Sequence, residues 1–235
     1  MRAARTDPRA IAGLYAVTPD LADTRALVAR VAAAIDGGAR AIQYRNKTAG
    51  DDLCAEQADA LVRACRGRAL LVVNDDAALA ARVHADGVHV GDDDGGVGAA
   101  RALVGDAAIV GVSCYGDPAR ARAAAAEGAD YVAFGSFFAS RVKPGARRAD
   151  LAVLRDAATL RVPVVAIGGI TAANAGALFE AGADAVAVIS DVFDRASLAD
   201  VTHAARALDD VWRASQRDDA QRASHRKHIA MRQPG

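Results

Sequence analysis

Eight short apolar runs alternate with alanine-rich helical stretches between about Gly13 and Val211, and that alternation restricts the chain to a parallel sheet covered by helices. The runs read as strands at Leu14–Val17, Ala41–Tyr44, Ala69–Val73, Gly87–Val90, Ile109–Val112, Tyr131–Phe134, Val164–Ile167 and Ala185–Ile189. Helical patterns lie between them, as at Thr24–Ile35, Asp51–Cys65, Pro118–Glu127 and Asn174–Glu180. Asp117-Pro118 supplies a cap and first turn, Thr171 a cap, and Gly128 and Gly182 act as stops. Gly38-Ala39, Gly128-Ala129 and Gly182-Ala183 each precede an even-numbered strand, and Asp86-Gly87 does similar work before the fourth. Strand then helix, eight times over, predicts a (β/α)8 TIM barrel. A doubly wound open sheet is the next choice, but no G-x-G-x-x-G follows the first strand.

One domain, residues 13–211, accounts for this pattern. Residues 1–12 are expected to be a disordered N-terminal segment. The polar, basic and aperiodic stretch 212–235 is expected to be a disordered tail. Half of the residues are hydrophobic, much of that alanine, and only 4% are aromatic, enough for an aliphatic core. The formal charge is zero, so nothing in the composition draws the chain to nucleic acid or an anionic membrane. Cys54, Cys65 and Cys114 cannot pair off evenly, and Met1–Ala10 has no apolar run behind its arginines. No stretch is long and apolar enough to span a bilayer. A cytoplasmic protein is therefore expected, with small-molecule partners, and the sequence leaves a homo-oligomer open.

Barrel chemistry sits at the C-terminal strand ends, and the polar residues collect there. Gln43, Arg45 and Lys47 stand at every second position, so a continuing strand projects an amide, a guanidinium and an ammonium to one side. That set suits a diphosphate, and it is notable that lysine occurs only at 47, 143 and 227. Asn74-Asp75 and Asp92-Asp93-Asp94 end the next two strands. Asp75 and Asp94 are candidate Mg2+ ligands, two carboxylates beside an anion clamp; helix capping or a solvated turn is the alternative for each. Gly168-Gly169-Ile170-Thr171 and Val188-Ile189-Ser190-Asp191 follow the seventh and eighth strands, where barrel enzymes commonly bind phosphate. The glycine pair leaves room for phosphate against bare backbone, and a plain turn is the alternative. Ser113 suits a hydroxyl donor to phosphate, with no histidine at a recognisable spacing to it. His89, inside the fourth strand, reads as hydrogen-bonded structure, and Cys114 carries no chemistry.

These residues together resemble the thiamine-phosphate synthase family. The resemblance is carried by Q-x-R-x-K at Gln43–Lys47, N-D at Asn74-Asp75 and G-V-H-V-G-x-x-D at Gly87–Asp94. It continues through F-G-x-x-F-x-[ST]-x-x-K at Phe134–Lys143, G-G-I at Gly168–Ile170 and V-I-S at Val188–Ser190, in order from about Leu14 to Asp194. It implies a transferase that condenses hydroxymethylpyrimidine diphosphate with hydroxyethylthiazole phosphate, giving thiamine phosphate and pyrophosphate by a largely dissociative, Mg2+-assisted route. By the same resemblance Gln43, Arg45, Lys47 and Asn74 bind the diphosphate or pyrimidine end, and Ser113 and Lys143 contact the diphosphate. Ser140, Gly169 and Ser190 hold the thiazole phosphate, Gly168 and Ile189 are further substrate-binding residues, and Asp75 and Asp94 ligate Mg2+. Lys143, Ser113 and Arg45 are then the residues expected to carry the chemistry.

Four positions depart from the family pattern: Asp92 stands for glutamine, Ser140 for threonine, Val142 for a second threonine, and Tyr44 for an aliphatic residue. By alternation Tyr44 points away from the clamp. Competing readings are a thiazole tautomerase or regulatory thiazole-phosphate binder, a Schiff-base aldolase using Lys47 or Lys143, and a non-catalytic phosphate-binding barrel.

Overall fold

The computed structural model describes residues 6–91, 94–139 and 147–230, with side chains through residue 218. Strand and helix alternate along it as β1 (Gly13–Val17), α1 (Thr24–Asp36), β2 (Ala41–Tyr44), α2 (Asp51–Cys65), β3 (Leu70–Asn74), α3 (Ala77–Val83), β4 (Gly87–Val90) and α4 (Gly96–Val104). The second half continues as β5 (Ile109–Tyr115), α5 (Pro118–Ala126), β6 (Tyr131–Gly135), α6 (Ala152–Ala157), β7 (Val164–Ile167), α7 (Ala175–Glu180), β8 (Ala185–Val188), α8 (Ser190–Phe193) and α9 (Leu198–Ala230). All eight strands are parallel, and β8 pairs with β1, so the sheet closes into a barrel. Closure excludes the open doubly wound sheet.

Side-chain alternation divides each strand between two apolar layers. In β1, Leu14 and Ala16 face the helices while Tyr15 and Val17 face the barrel interior. The interior is packed mainly by small or branched residues, Ala41, Val72, Ala133, Val165, Ala185 and Ala187. Two of the four tyrosines, Tyr15 and Tyr131, fill the space these leave. This is how a chain poor in aromatics fills its barrel below the rim.

The recurrent motif before the even strands has a physical role. The carboxylates of Asp86, Asp130 and Asp184 accept the backbone N–H groups of Leu71, Val110 and Val164, at 2.8, 2.9 and 2.8 Å. Each aspartate thereby ties the foot of its own strand to the strand before it. Asp130 is buried and also pairs with Arg101 at 2.5 Å. Removing the carboxylate leaves the buried Val110 N–H without its acceptor and takes from Arg101 its one carboxylate partner among the described residues, the backbone oxygens of Gly105, Ala108 and Gly128 remaining. Asp130→Ala is accordingly expected to lower unfolding free energy by about 1–3 kcal/mol, read from the urea midpoint. Before β2 the equivalent position is Arg40, whose guanidinium instead lies over the Trp212 ring, 4.2 Å from its centre.

That stacking marks where the structure departs from a disordered tail. Helix α9 does not stop at Val211 but continues through Trp212 to Ala230. Thr202 Oγ1 donates to Ala33 O at 3.0 Å and Arg206 to Asp36 O at 2.7 Å, docking the helix on α1. A Cβ on Gly37 would sit 2.5 Å from Ala205 Cβ, so the glycine permits this approach. Residues 198–230 contain neither glycine nor proline, so nothing local ends a helix already anchored in the core. The N-terminal segment differs similarly. Asp7 caps a 3-10 turn at Pro8–Ala10, and Ile11 is fully buried against the barrel interior.

Candidate active site

One cavity of about 430 Å3 opens at the C-terminal rim of the barrel. Gln43, Arg45, Asn74 and Ser113 line one side of it, from β2, β3 and β5, and Gly168, Gly169, Ile189 and Ser190 line the other, from the ends of β7 and β8. Eight of the sequence-predicted site residues are thus brought together. Lys47, Asp75 and Asp94 are not among the lining residues. Ser140 and Lys143, with the family departures Asp92 and Val142, lie outside the described residues.

The clamp is built differently from a continuing strand. Strand β2 ends at Tyr44, and Thr18 and Asp20, which follow β1, shape the segment beyond. Thr18 Oγ1 donates to Arg45 O at 2.9 Å and accepts Arg45 N–H at 2.8 Å. Asp20 Oδ1 pairs with Arg45 Nη1 at 3.1 Å and accepts Lys47 N–H at 2.9 Å. Arg45, with a side chain 19% exposed, is aimed at the cavity as a pre-positioned guanidinium. Lys47 turns aside, its Nζ 2.5 Å from Asp75 Oδ2. Tyr44 points away from the clamp as expected, donating to Gln57 Oε1 at 2.9 Å.

The two candidate metal ligands lie beyond the C-terminal ends of adjacent strands, β3 and β4. Asp75 N donates to His89 O at 2.7 Å, and Asp94 Oδ2 accepts Gly91 N–H at 2.6 Å. Among the described residues no three His, Cys, Asp or Glu side chains gather as a complete metal cage. A pair of carboxylates, oxygen donors only, fits a hard cation that completes its shell with water and substrate oxygens, which is how Mg2+ is usually held.

Across the cavity the glycine pair has a second cause besides room for a ligand. A Cβ on Gly168 would lie 2.0 Å from Ser136 Oγ, and one on Gly169 2.2 Å from Ala139 O. Both also adopt positive φ, 108° and 63°, so the loop after β6 can lie directly on the loop after β7 only if these residues are glycine. Asn174 fastens the turn, accepting Thr171 N–H at 2.9 Å and donating to Gly169 O at 3.1 Å. Ser190 begins α8, with Asp191 held by Arg195 at 2.8 Å beside it.

His89 is hydrogen-bonded structure, but it is also the histidine that Ser113 lacked on the page of the sequence. His89 Nε2 lies 2.9 Å from Ser113 Oγ, and Nδ1 lies 2.9 Å from Tyr131 Oη. The signal was register: His89 pairs with Gly111 on the next strand, which puts Ser113 one pleat further along the same face. Burial pushes the His89 imidazole down to about 4, with the Asp75 charge opposing that shift. The ring is therefore neutral at neutral pH. Burial likewise pushes the Cys114 thiol up to about 12, consistent with no role in chemistry.

A stability effect follows from the histidine shift. Unfolded, the ring takes its proton near 6.5; folded, near 4. Between these values the unfolded chain binds more protons, so stability falls as pH drops through the window. The expected loss is on the order of 3 kcal/mol. In urea titrations the stability difference between the wild type and His89→Asn should shrink by that amount between pH 7 and pH 4. An unchanged difference contradicts a depressed His89.

A closed barrel with a polar cavity at the C-terminal rim has the architecture of small-molecule barrel enzymes. The sequence profile of the family described as thiamine monophosphate synthase matches residues 14–192. The chain belongs to the thiamine-phosphate synthase family. It is 54% identical over 202 residues to the thiamine-phosphate synthase of Chromobacterium violaceum, covering 86% of this chain and 96% of that one. It is 52% identical to that of Methylobacillus flagellatus, covering 80% and 90%. Among solved structures, thiamine phosphate pyrophosphorylase from Pyrococcus furiosus superposes with a TM-score of 0.77 at 34% identity, covering 88% of this chain and 98% of that one.

Proposed function

We propose that the chain condenses 4-amino-2-methyl-5-hydroxymethylpyrimidine diphosphate with 4-methyl-5-(2-hydroxyethyl)thiazole phosphate, giving thiamine phosphate and pyrophosphate. The observation that carries this reading is the two-sided lining of one cavity. Gln43, Arg45, Asn74 and Ser113 supply donors for a diphosphate and a heterocycle on one side, and Gly168, Gly169 and Ser190 supply a second anion site on the other. Two phosphorylated substrates can meet between them.

In the reaction the bond from the pyrimidine methylene carbon to the diphosphate oxygen breaks, and its electron pair leaves with pyrophosphate. The thiazole nitrogen donates its lone pair to the same carbon, forming the new C–N bond. No protein nucleophile or base is needed, which agrees with a neutral His89 already bonded at both nitrogens. Arg45 meets charge that grows on the departing oxygens, with Lys143 and Lys47 as further cations, and a preorganised donor of this kind acts most strongly in the transition state. Gln43 and Asn74 orient the pyrimidine, and Ser140, Gly169, Ile189 and Ser190 the thiazole phosphate. Asp75 and Asp94 would hold Mg2+, which when bound neutralises charge on the diphosphate.

A Schiff-base aldolase is not favoured by the amine on view. Lys47 is 53% exposed and ion-paired, unlike the desolvated lysine that chemistry uses. The test is product formation. Mass spectrometry should detect thiamine phosphate when both precursors and Mg2+ are supplied, and none when either precursor is left out. Binding of the thiazole phosphate without product refutes the synthase reading.

A further inference from the structure

The barrel interior holds a continuous chain of polar groups whose direction follows from the Gln43 amide presenting its N–H to Tyr15. Gln43 Nε2 donates to Tyr15 Oη at 3.1 Å, and Tyr15 Oη lies 2.8 Å from Tyr131 Oη. Tyr131 Oη lies 2.9 Å from His89 Nδ1, and His89 Nε2 lies 2.9 Å from Ser113 Oγ. Both phenols are buried and pushed well above the ordinary tyrosine range by burial, so each keeps its proton.

A hydroxyl has one proton to give. Tyr15 receives the Gln43 N–H, and its own proton has one acceptor among the described residues, Tyr131 Oη. Were Tyr131 to donate to Tyr15 instead, the Tyr15 proton would be left without an acceptor inside the barrel, which buried groups avoid. Tyr15 therefore donates to Tyr131, and Tyr131 donates onward to His89 Nδ1. The imidazole proton then sits on Nε2 and is given to Ser113 Oγ. Ser113 accepts, its own proton has no other partner among the described residues, and the residue lines the cavity.

We propose that Gln43, Tyr15, Tyr131 and His89 form a one-way hydrogen-bond relay that makes the Ser113 hydroxyl a committed donor to an anionic oxygen in the cavity. Tyr15, Tyr131 and His89 are positioning residues, acting on substrate only through Ser113. The relay deepens the synthase reading and rests on it for the identity of that oxygen, one belonging to the diphosphate. Without the relay a serine hydroxyl can accept as well as donate, and its proton is free to turn away from an anion. Gly111 makes the relay sterically feasible. It stands opposite both His89 and Tyr131 in the sheet, and a Cβ there would lie 2.0 Å from Tyr131 Cζ. The tyrosine ring crosses the vacant position and stacks beside the imidazole, centroids 5.5 Å apart.

Two measurements test this, one of them independent of activity. In 15N-histidine-labelled protein, with His89→Asn identifying the resonance, long-range 1H–15N correlation should place the His89 proton on Nε2. A proton on Nδ1 means that the relay runs the other way and Ser113 is an acceptor, which overturns the proposal even if the enzyme is active. The second is a kinetic cycle. Tyr131→Phe, which keeps the ring and loses the hydroxyl, should lower kcat about tenfold with Ser113 present and cause no further loss in Ser113→Ala, itself down on the order of 10²–10³. Equal losses in both backgrounds would show that Tyr131 acts by packing and not through Ser113. If no synthase turnover is found at all, the function fails, while the tautomer still decides the relay.

Discussion

Arg45→Ala should reduce kcat/KM by about 10²–10³ or more while leaving the unfolding midpoint near that of the wild type. Arg45 is fixed before any ligand arrives, by Thr18 on its backbone and by Asp20 on its guanidinium. Its orienting cost is met on folding, so its full electrostatic effect is available as charge builds on the leaving diphosphate. Arg45→Lys should recover little, because an ammonium cannot present the planar fork that meets Asp20 and a phosphate oxygen together. Steady-state kinetics of the two variants checks this. Near-normal turnover in Arg45→Ala would move the leaving-group role to residues of the loop after β6. The ion pair itself is a small part of stability, being partly exposed at the rim.

The second large effect is on the fold and the site together. Gly111→Ala adds a methyl where a Cβ would meet Tyr131 Cζ at 2.0 Å and Cε1 at 2.1 Å. The ring is fully buried inside the closed barrel, packed against Tyr15 and His89. Overpacking of this kind costs about 1–3 kcal/mol or more, and displacement of Tyr131 also breaks its bonds to Tyr15 and His89. The variant should show a melting temperature lower by roughly 5–10 °C and a kcat reduced at temperatures where it is still folded. A variant with wild-type stability and turnover would show that Tyr131 does not need the vacancy at position 111.

How far these features could be read from the sequence depends on whether they are local. The strands were visible because each is a short apolar run closed by a turn signal, and the eight-fold alternation then implied closure. The Gly-Ala and Asp-Gly steps were visible as a repeat; the carboxylates of Asp86, Asp130 and Asp184 reaching back to Leu71, Val110 and Val164 were not, since those bonds join residues 15, 20 and 20 positions apart. Gln43, Arg45, Asn74 and Ser113 were found by position at strand ends. Lys47 was assigned to the same face by period-two alternation; the strand ends at Tyr44, and the ammonium pairs with Asp75. Asp20 was passed over because its importance lies in gathering two residues from the next β–α connection. The His89–Ser113 contact needs the β4–β5 register, which spacing along the chain does not reveal. At the C-terminus, an aperiodic polar composition was read as disorder. Trp212 is the signal that argued otherwise, a large amphipathic side chain stacked under Arg40 at the foot of the barrel.

The most direct test of the account is pyrophosphate release by the purified chain, measured with each of the pyrimidine diphosphate, the thiazole phosphate and Mg2+ left out in turn. Release that requires all three, in equal amounts with thiamine phosphate, is the result expected of a cavity that joins two phosphorylated substrates. Release that persists without the thiazole phosphate, or no release while that phosphate still binds, would contradict it.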